Sequence, residues 1–73
     1  MEEALQRFGT NVRAARLARG WTQEDLARQT GLATVQVSRI ERGRREIRLT
    51  TLVRLLRALD VSPDVLLNGF SEL

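Results

Sequence analysis

The 73-residue sequence contains no cysteine, no histidine and no tyrosine. Without cysteine it forms no disulfide bond and no thiolate metal site. Its nine acidic residues fall mostly at helix starts or beside arginines, so no set of side chains converges as a catalytic site requires. We therefore expect a protein that is not an enzyme, with no catalytic residue, no metal, no cofactor and no small-molecule ligand.

Long apolar runs are also absent, so the sequence predicts no membrane-spanning segment. The first eight residues, MEEALQRF, are acidic and amphipathic and do not resemble a signal peptide. Together with the absence of disulfides, these features predict a cytoplasmic protein.

Lysine is also absent, since all twelve basic residues are arginine. The net charge is +3. Genomic base composition is enough to explain arginine in place of lysine, so the position of the arginines says more than their number. Five of them lie between Arg39 and Arg48, where only Glu41 and Glu46 oppose them. Positive charge gathered in one segment indicates a polyanionic partner, and the guanidinium fork fits phosphate and guanine edges.

Helical periodicity runs through most of the chain and is interrupted by glycines at positions 20, 31, 43 and 69. The predicted helices cover residues 3–19, 23–30, 34–42, 51–59 and 63–68. Gly9 lies inside the first helix, where it either allows another helix to approach or marks the true start with Thr10 as N-cap. Strand-like alternation and linkers are absent, so the predicted fold is all-α: a compact bundle of four or five helices in one domain, residues 1–73.

The segment 22–42 predicts two short helices joined by a tight turn. Thr22 is a good N-cap for the first of them, and Gly31 permits the left-handed backbone that ends it. In the second helix, Val37 and Ile40 continue the apolar face and leave polar and basic side chains outside. A helix of that polarity suits the major groove of DNA.

This pattern resembles the phage repressor and Cro (XRE-like) helix-turn-helix family. The likeness rests on TQEDLA at residues 22–27, TGL at residues 30–32 and VSRIERG at residues 37–43. It extends from about Phe8 to Leu67, which is nearly the whole chain. The resemblance implies a lambda-repressor-like DNA-binding domain.

The resemblance also implies roles for individual side chains. The helix from Thr34 would be the recognition helix, with base contacts from Thr34, Val35, Gln36 and Arg39. Arg39 would bind guanine O6 and N7, Gln36 adenine N6 and N7, and Thr34 or Val35 a thymine methyl group; Val35 could instead be partly covered by the neighbouring helix. The implied phosphate contacts are Gln23, Ser38, Arg42 and Arg44, and Arg16 and Glu41 match a structural salt bridge.

Four positions depart from the family pattern, among them residues 33 and 60, while Ile47 replaces a common proline and Leu56 a common alanine. Position 33 is alanine where the recognition helix usually has a serine, threonine or aspartate cap. Either the cap is missing, at a cost of about 1 kcal/mol, or Thr34 caps the helix instead. Asp60 replaces a glycine after the fourth helix, which predicts a left-handed backbone there.

The C-terminal segment, residues 62–73, carries more apolar side chains than a short terminal helix needs. We expect a homodimer interface formed by Leu66, Leu67, Phe70 and Leu73; the alternative is that they complete the monomer core. A dimer would read two half-sites about 34 Å apart. Glu24 and Asp25 are expected to stabilise the helix dipole, and in some relatives acids near this position contact RNA polymerase.

The predicted function is a bacterial or phage transcriptional regulator, associated with the nucleoid, that binds a palindromic operator in double-stranded DNA as a homodimer. The chain ends soon after the fifth helix, so we expect control by concentration and no sensing domain. That brevity resembles the controller proteins of restriction–modification systems, which act on their own promoter. The alternatives are the antitoxin of a toxin–antitoxin pair and a protein-interaction module that has lost DNA binding.

Overall fold

The computed structural model describes residues 2–73, in which every regular element is helical. The five α-helices are α1 Glu2–Ala18, α2 Gln23–Thr30, α3 Thr34–Glu41, α4 Leu49–Leu59 and α5 Pro63–Leu66, followed by a 3-10 turn at Phe70–Glu72. The all-α prediction is therefore confirmed. None of these helices is both long enough and apolar enough to cross a membrane.

Helix α4 begins two residues before its predicted start. The prediction placed the first helical residue at Thr51, but Leu52 N–H already bonds to Arg48 O at 3.1 Å, so Arg48 is the N-cap. Arg48 caps without a side-chain hydrogen bond, and for that reason no cap residue marked the start in the sequence. Helix α5 ends at Leu66, two residues earlier than predicted.

Every helix contributes to one hydrophobic core. The buried side chains come from α1 (Phe8, Val12, Ala15), α2 (Leu26, Ala27), α3 (Val37, Ile40), α4 (Leu55, Leu59) and α5 (Leu66). Because α2 and α3 bury only one side each, the opposite sides of both helices remain in solvent.

Gly9 lies in the middle of α1 and lets α3 approach it. An added Cβ at this buried position would lie 2.6 Å from the Glu41 carbonyl oxygen and closer still to that of Ile40. Helix α1 continues through Gly9 from Glu2, so of the two alternatives close packing is confirmed and a start at Thr10 is wrong.

A buried ion pair also joins α1 to α3, as the resemblance implied. Arg16 Nε lies 2.7 Å from Glu41 Oε2 and Arg16 Nη2 lies 3.0 Å from Glu41 Oε1. The two residues are only 6% and 7% exposed. The hydrogen bond to Glu41 raises the pKa of Arg16 above its ordinary value, against the opposing effect of burial. A further bond, from Arg16 Nη1 to Trp21 O at 2.6 Å, holds the chain at the start of α2.

The chain turns sharply after α4, where Asp60 adopts the predicted left-handed conformation with φ 54°. Arg19 Nη1 donates to Leu59 O at 3.0 Å, and its guanidinium lies 4.7 Å from the centre of the Trp21 ring. One of the free carbonyl groups at the end of α4 is thus bonded from the end of α1.

Helix α5 is held against α1 by Asn11, whose Nδ2 donates to Leu66 O at 2.8 Å and to Asn68 O at 3.0 Å. The side chain of Leu66 points into the core and is 0% exposed. It has no surface to offer a second subunit, so the prediction that Leu66 belongs to a dimer interface is wrong. Apolar residues at the core and at an interface look alike in a sequence, and only the packing separates them.

Candidate nucleic-acid interface

Helix α2 begins with a complete capping box. Asp25 N–H donates to Thr22 Oγ1 at 3.0 Å, and Thr22 N–H donates to Asp25 Oδ2 at 2.8 Å. The Thr22 backbone bond, with smaller effects from the Thr22 side chain and Arg28, lowers the pKa of Asp25 below its ordinary value. Asp25 therefore has a structural task, and Glu24 is the acid of this turn that stays exposed.

The turn between the two helices is built as the sequence predicts. Gly31 has φ 77° and ψ 11°, and its N–H donates to Ala27 O at 2.9 Å. Thr30 is buried and its hydroxyl donates to Leu26 O at 2.7 Å. The Gly31 bond occupies a carbonyl group that the end of α2 would otherwise leave free, and the Thr30 bond satisfies a buried hydroxyl.

Helix α3 begins at Thr34, so Ala33 is its N-cap and the alternative that Thr34 caps the helix is wrong. Alanine has no side-chain oxygen, so the side chain at position 33 accepts no hydrogen bond from the free amides of the first turn. The opposite half of a capping box is present, because Ala33 N–H donates to Gln36 Oε1 at 2.8 Å. Thr34 is exposed, and its side chain does not cap the helix.

The outer side of α3 is polar and basic. Val35, Arg39 and Arg42 are separated by four and three residues and so share one side of the helix, opposite the buried Val37 and Ile40. Val35 is 52% exposed, so about half of its surface is accessible to a ligand. We call this exposed stripe, with Thr34 at its start, the outer face of α3. It presents two guanidinium groups, a hydroxyl and an apolar methyl pair to solvent.

Of the four predicted phosphate contacts, Arg42 lies on this face, Ser38 lies elsewhere on α3, and Gln23 and Arg44 belong to α2 and to the loop after α3. Gln23 stands at the first turn of α2 and its Nε2 donates to Glu41 Oε1 at 3.1 Å. One N–H of that amide is therefore directed inward and the other remains for a ligand. Ser38 is half-buried, Arg42 Nε donates to its carbonyl at 3.4 Å, and Arg44 is exposed.

Three arginines to which the sequence prediction gave no individual contact line a cleft beside α3. The cleft has a volume of about 380 Å³ and lies between the turn, the loop after α3 and the start of α4. Its lining includes Arg45, Arg48, Arg54, Gln36 and Thr50. The run of arginines in the loop was a signal for Arg45 and Arg48, whereas Arg54 reaches the cleft only because α4 folds back against α2. Guanidinium groups in a polar cleft attract phosphate.

The sequence and the fold match a known family. A family model described as Helix-turn-helix matches residues 12–66. The chain belongs to this helix-turn-helix family. The predicted resemblance is therefore confirmed.

Three helix-turn-helix proteins illustrate the likeness. A hypothetical transcription factor from Neisseria meningitidis is 44% identical over 57 residues, which are 78% of this chain and 54% of the relative. The structure of the restriction-modification controller protein C.AhdI from Aeromonas hydrophila matches with a TM-score of 0.82 at 40% identity, covering 85% of this chain and 94% of that one. The controller protein C.Esp1396I, solved as a tetramer with its natural 35 base-pair operator, matches with a TM-score of 0.81 at 30% identity, covering 94% and 91%.

Some helix-turn-helix relatives are much longer. This chain spans 54% of the Neisseria protein and 22% of a mycobacterial regulator that it also matches. Both proteins therefore contain segments that this chain does not match. The comparison with controller proteins covers most of both chains and is the more informative one.

Proposed function

We propose that the chain is a sequence-specific transcriptional regulator that binds a palindromic operator as a homodimer. The observation that carries this proposal is the outer face of α3, which is polar, basic and exposed while the other side of the helix is buried. The controller protein C.Esp1396I, which has the same fold, is solved in complex with its operator. Regulation of its own promoter, as a controller protein of a restriction–modification system, is the subclass that the matches support.

Base recognition is assigned to the outer face of α3. Arg39 is exposed and its guanidinium can bind guanine O6 and N7 with two parallel hydrogen bonds. Thr34 and Val35 carry methyl groups in the first turn, where contact with a thymine methyl is the matching interaction. Gln23, Ser38, Arg42 and Arg44 are assigned to backbone phosphates around this face, and the α2 dipole supports the contact from Gln23.

Replacing Arg39 with alanine tests this assignment. We expect Arg39→Ala to weaken specific binding by about 1–3 kcal/mol and to relax the preference at one base pair. The operator for the measurement comes from selection of bound DNA from a random pool. Arg57→Ala is the matched control, because Arg57 is an exposed arginine in the last turn of α4; it removes the same charge away from α3. Equal effects of the two substitutions would show that Arg39 contributes only charge.

Dimerisation is assigned to the apolar surface near the C-terminus. Leu67 and Leu73 are 37% and 56% exposed. Leu67 and Phe70 line an apolar groove of about 180 Å³ together with Leu5, Phe8, Ile47 and Leu52. One recognition helix reads few base pairs, so pairing through this surface would supply the specificity that a monomer lacks.

Exposed leucines on different surfaces allow a matched test of the dimer. We expect Leu67→Glu to convert the dimer to a monomer in sedimentation experiments, because a carboxylate would be buried in the interface. Leu49→Glu, at a leucine that is 74% exposed on α4, should leave the dimer intact. A monomer for Leu49→Glu and a dimer for Leu67→Glu would show that the interface lies on α4. A wild type that stays monomeric at high concentration would refute the proposed dimer.

Contact with RNA polymerase is assigned to Glu24. Asp25 is occupied by the capping box, so the proposed pair of acids reduces to one exposed carboxylate. Glu24→Gln should lower activated transcription in a purified system and leave operator binding unchanged. Unchanged transcription would restrict Glu24 to its favourable position at the helix dipole.

A further inference from the structure

The first turns of α2 and α3 both place a cap residue three positions before a polar side chain. They differ because the cap residue of α2 has a hydroxyl group and that of α3 has none. Thr22 and Asp25 exchange two hydrogen bonds at the start of α2. Ala33 and Gln36 occupy the same two positions at the start of α3. Only the bond from Ala33 N–H to Gln36 Oε1, at 2.8 Å, is formed between the backbone and a side chain there. Gln36 therefore supplies the only side-chain cap at the start of the recognition helix.

This bond limits what Gln36 can offer to a base. A bidentate contact with adenine needs Oε1 to accept from N6 while Nε2 donates to N7. In the structure Oε1 is turned back to the start of its own helix, so the amide does not present both groups outward. Gln36 is also half-buried and lines the cleft of Arg45 and Arg48, at the side of the outer face rather than on it.

We propose that Gln36 is a positioning residue: its side-chain carbonyl caps the recognition helix and holds Thr34 and Val35 in place for base contact. The adenine contact that the resemblance implied for Gln36 is replaced by this task. The inference rests on the proposed function, since Thr34 and Val35 are base-contacting residues only if α3 enters the major groove. It makes position 36 a determinant of specificity at base pairs that it does not touch.

The cap itself is tested without DNA. Hydrogen exchange at the Ala33 amide is compared in the wild type, Gln36→Glu and Gln36→Ala. The glutamate carboxylate accepts the same bond, so exchange should stay slow. Alanine removes the acceptor, and exchange should accelerate roughly fivefold, the equilibrium factor for a cap of ~1 kcal/mol. Equal exchange in all three proteins would overturn the proposal.

Specificity is tested by rescue. We expect Gln36→Ala to weaken operator binding roughly fivefold and to relax selection at the base pairs contacted by Thr34 and Val35, with the guanine preference of Arg39 retained. Adding Ala33→Ser supplies a hydroxyl cap to the same turn and should restore both affinity and selection. A preference lost at one base pair and not restored by serine would show that Gln36 reads that base directly and would overturn the proposal.

The two measurements separate the inference from the proposed function. If the wild type selects no DNA sequence, the proposed function fails, and the role of Gln36 in base selection fails with it, whatever the exchange rates show. If the wild type selects an operator and Gln36→Ala leaves selection and affinity unchanged, only the inference fails. Thermal unfolding of each variant at the binding temperature confirms that the compared proteins are folded.

Discussion

Helices α2 and α3 are each eight residues long, but they are stabilised in different ways. Helix α2 carries its own start and stop signals, because Thr22, Asp25 and Gly31 lie within or next to it. Helix α3 has half a capping box, and its position depends on α1 through Gly9 and the Arg16–Glu41 pair. The supporting helix is thus specified locally, whereas the recognition helix is specified by its neighbours. Substitutions in α1 should therefore affect α3 more than substitutions in α3's own first turn.

The largest effect should come from breaking the buried ion pair. Glu41→Ala leaves the Arg16 guanidinium buried without a carboxylate, and we expect a loss of about 3–5 kcal/mol in the free energy of unfolding. Urea denaturation measures it. The comparison is Arg28→Ala, which removes the exposed pair with Asp25 and should cost less than about 1 kcal/mol. Similar losses for both would refute the dependence of α3 on α1.

Close packing at Gly9 gives the next largest effect. Gly9→Ala places a methyl group against the backbone of α3, and forcing the helices apart should cost about 1–3 kcal/mol despite the better helix propensity of alanine. Thr10→Ala, one residue further along α1 and exposed, should stay within about 0.5 kcal/mol of the wild type. A gain in stability for Gly9→Ala in thermal unfolding would mean that the two helices can separate freely.

Exchanging the caps sharpens the comparison directly. Thr22→Ala removes one bond of the box on α2 and should cost about 1 kcal/mol of unfolding free energy. Ala33→Ser adds the missing bond on α3 and should contribute a stabilisation of the same order. Chemical denaturation of both variants is the measurement. A destabilising effect of serine at position 33 would show that the first turn of α3 is held in a conformation that a side-chain cap cannot reach.

Low pH should destabilise the start of α2 but not the start of α3, and this effect should be smaller than those above. The pKa of Asp25 is lowered in the folded state, so its contribution is present above the unfolded pKa and is lost as the pH falls through the folded pKa. Gln36 does not titrate, so the start of α3 contributes no such pH dependence. The unfolding temperature of the wild type should fall more steeply below about pH 4 than the unfolding temperature of Asp25→Asn. Parallel curves would assign the acid sensitivity to other carboxylates.

The sequence predicted most accurately what is specified locally. The bounds of α2 are as predicted, because a cap residue and a glycine mark both ends. The start of α4 was misplaced because Arg48 caps through its backbone, which leaves no trace in residue type. Leu66 was assigned to an interface because burial depends on which helices surround it. The sequence predicted an adenine contact for Gln36 and gave no sign of the bond from Ala33 N–H, because that bond depends on the orientation of the amide.

Helix α1 contacts both the recognition helix and the C-terminal segment, through Gly9 and Arg16 on one side and Asn11 on the other. In a dimer paired through the C-terminal surface, α1 would connect the interface to the recognition helix in each subunit. It would therefore set the distance between the two recognition helices. If α1 transmits that distance rigidly, operators with a base pair inserted between the half-sites would have to bend or untwist. Loosening the Asn11 clamp would be expected to broaden the range of spacers that the dimer tolerates.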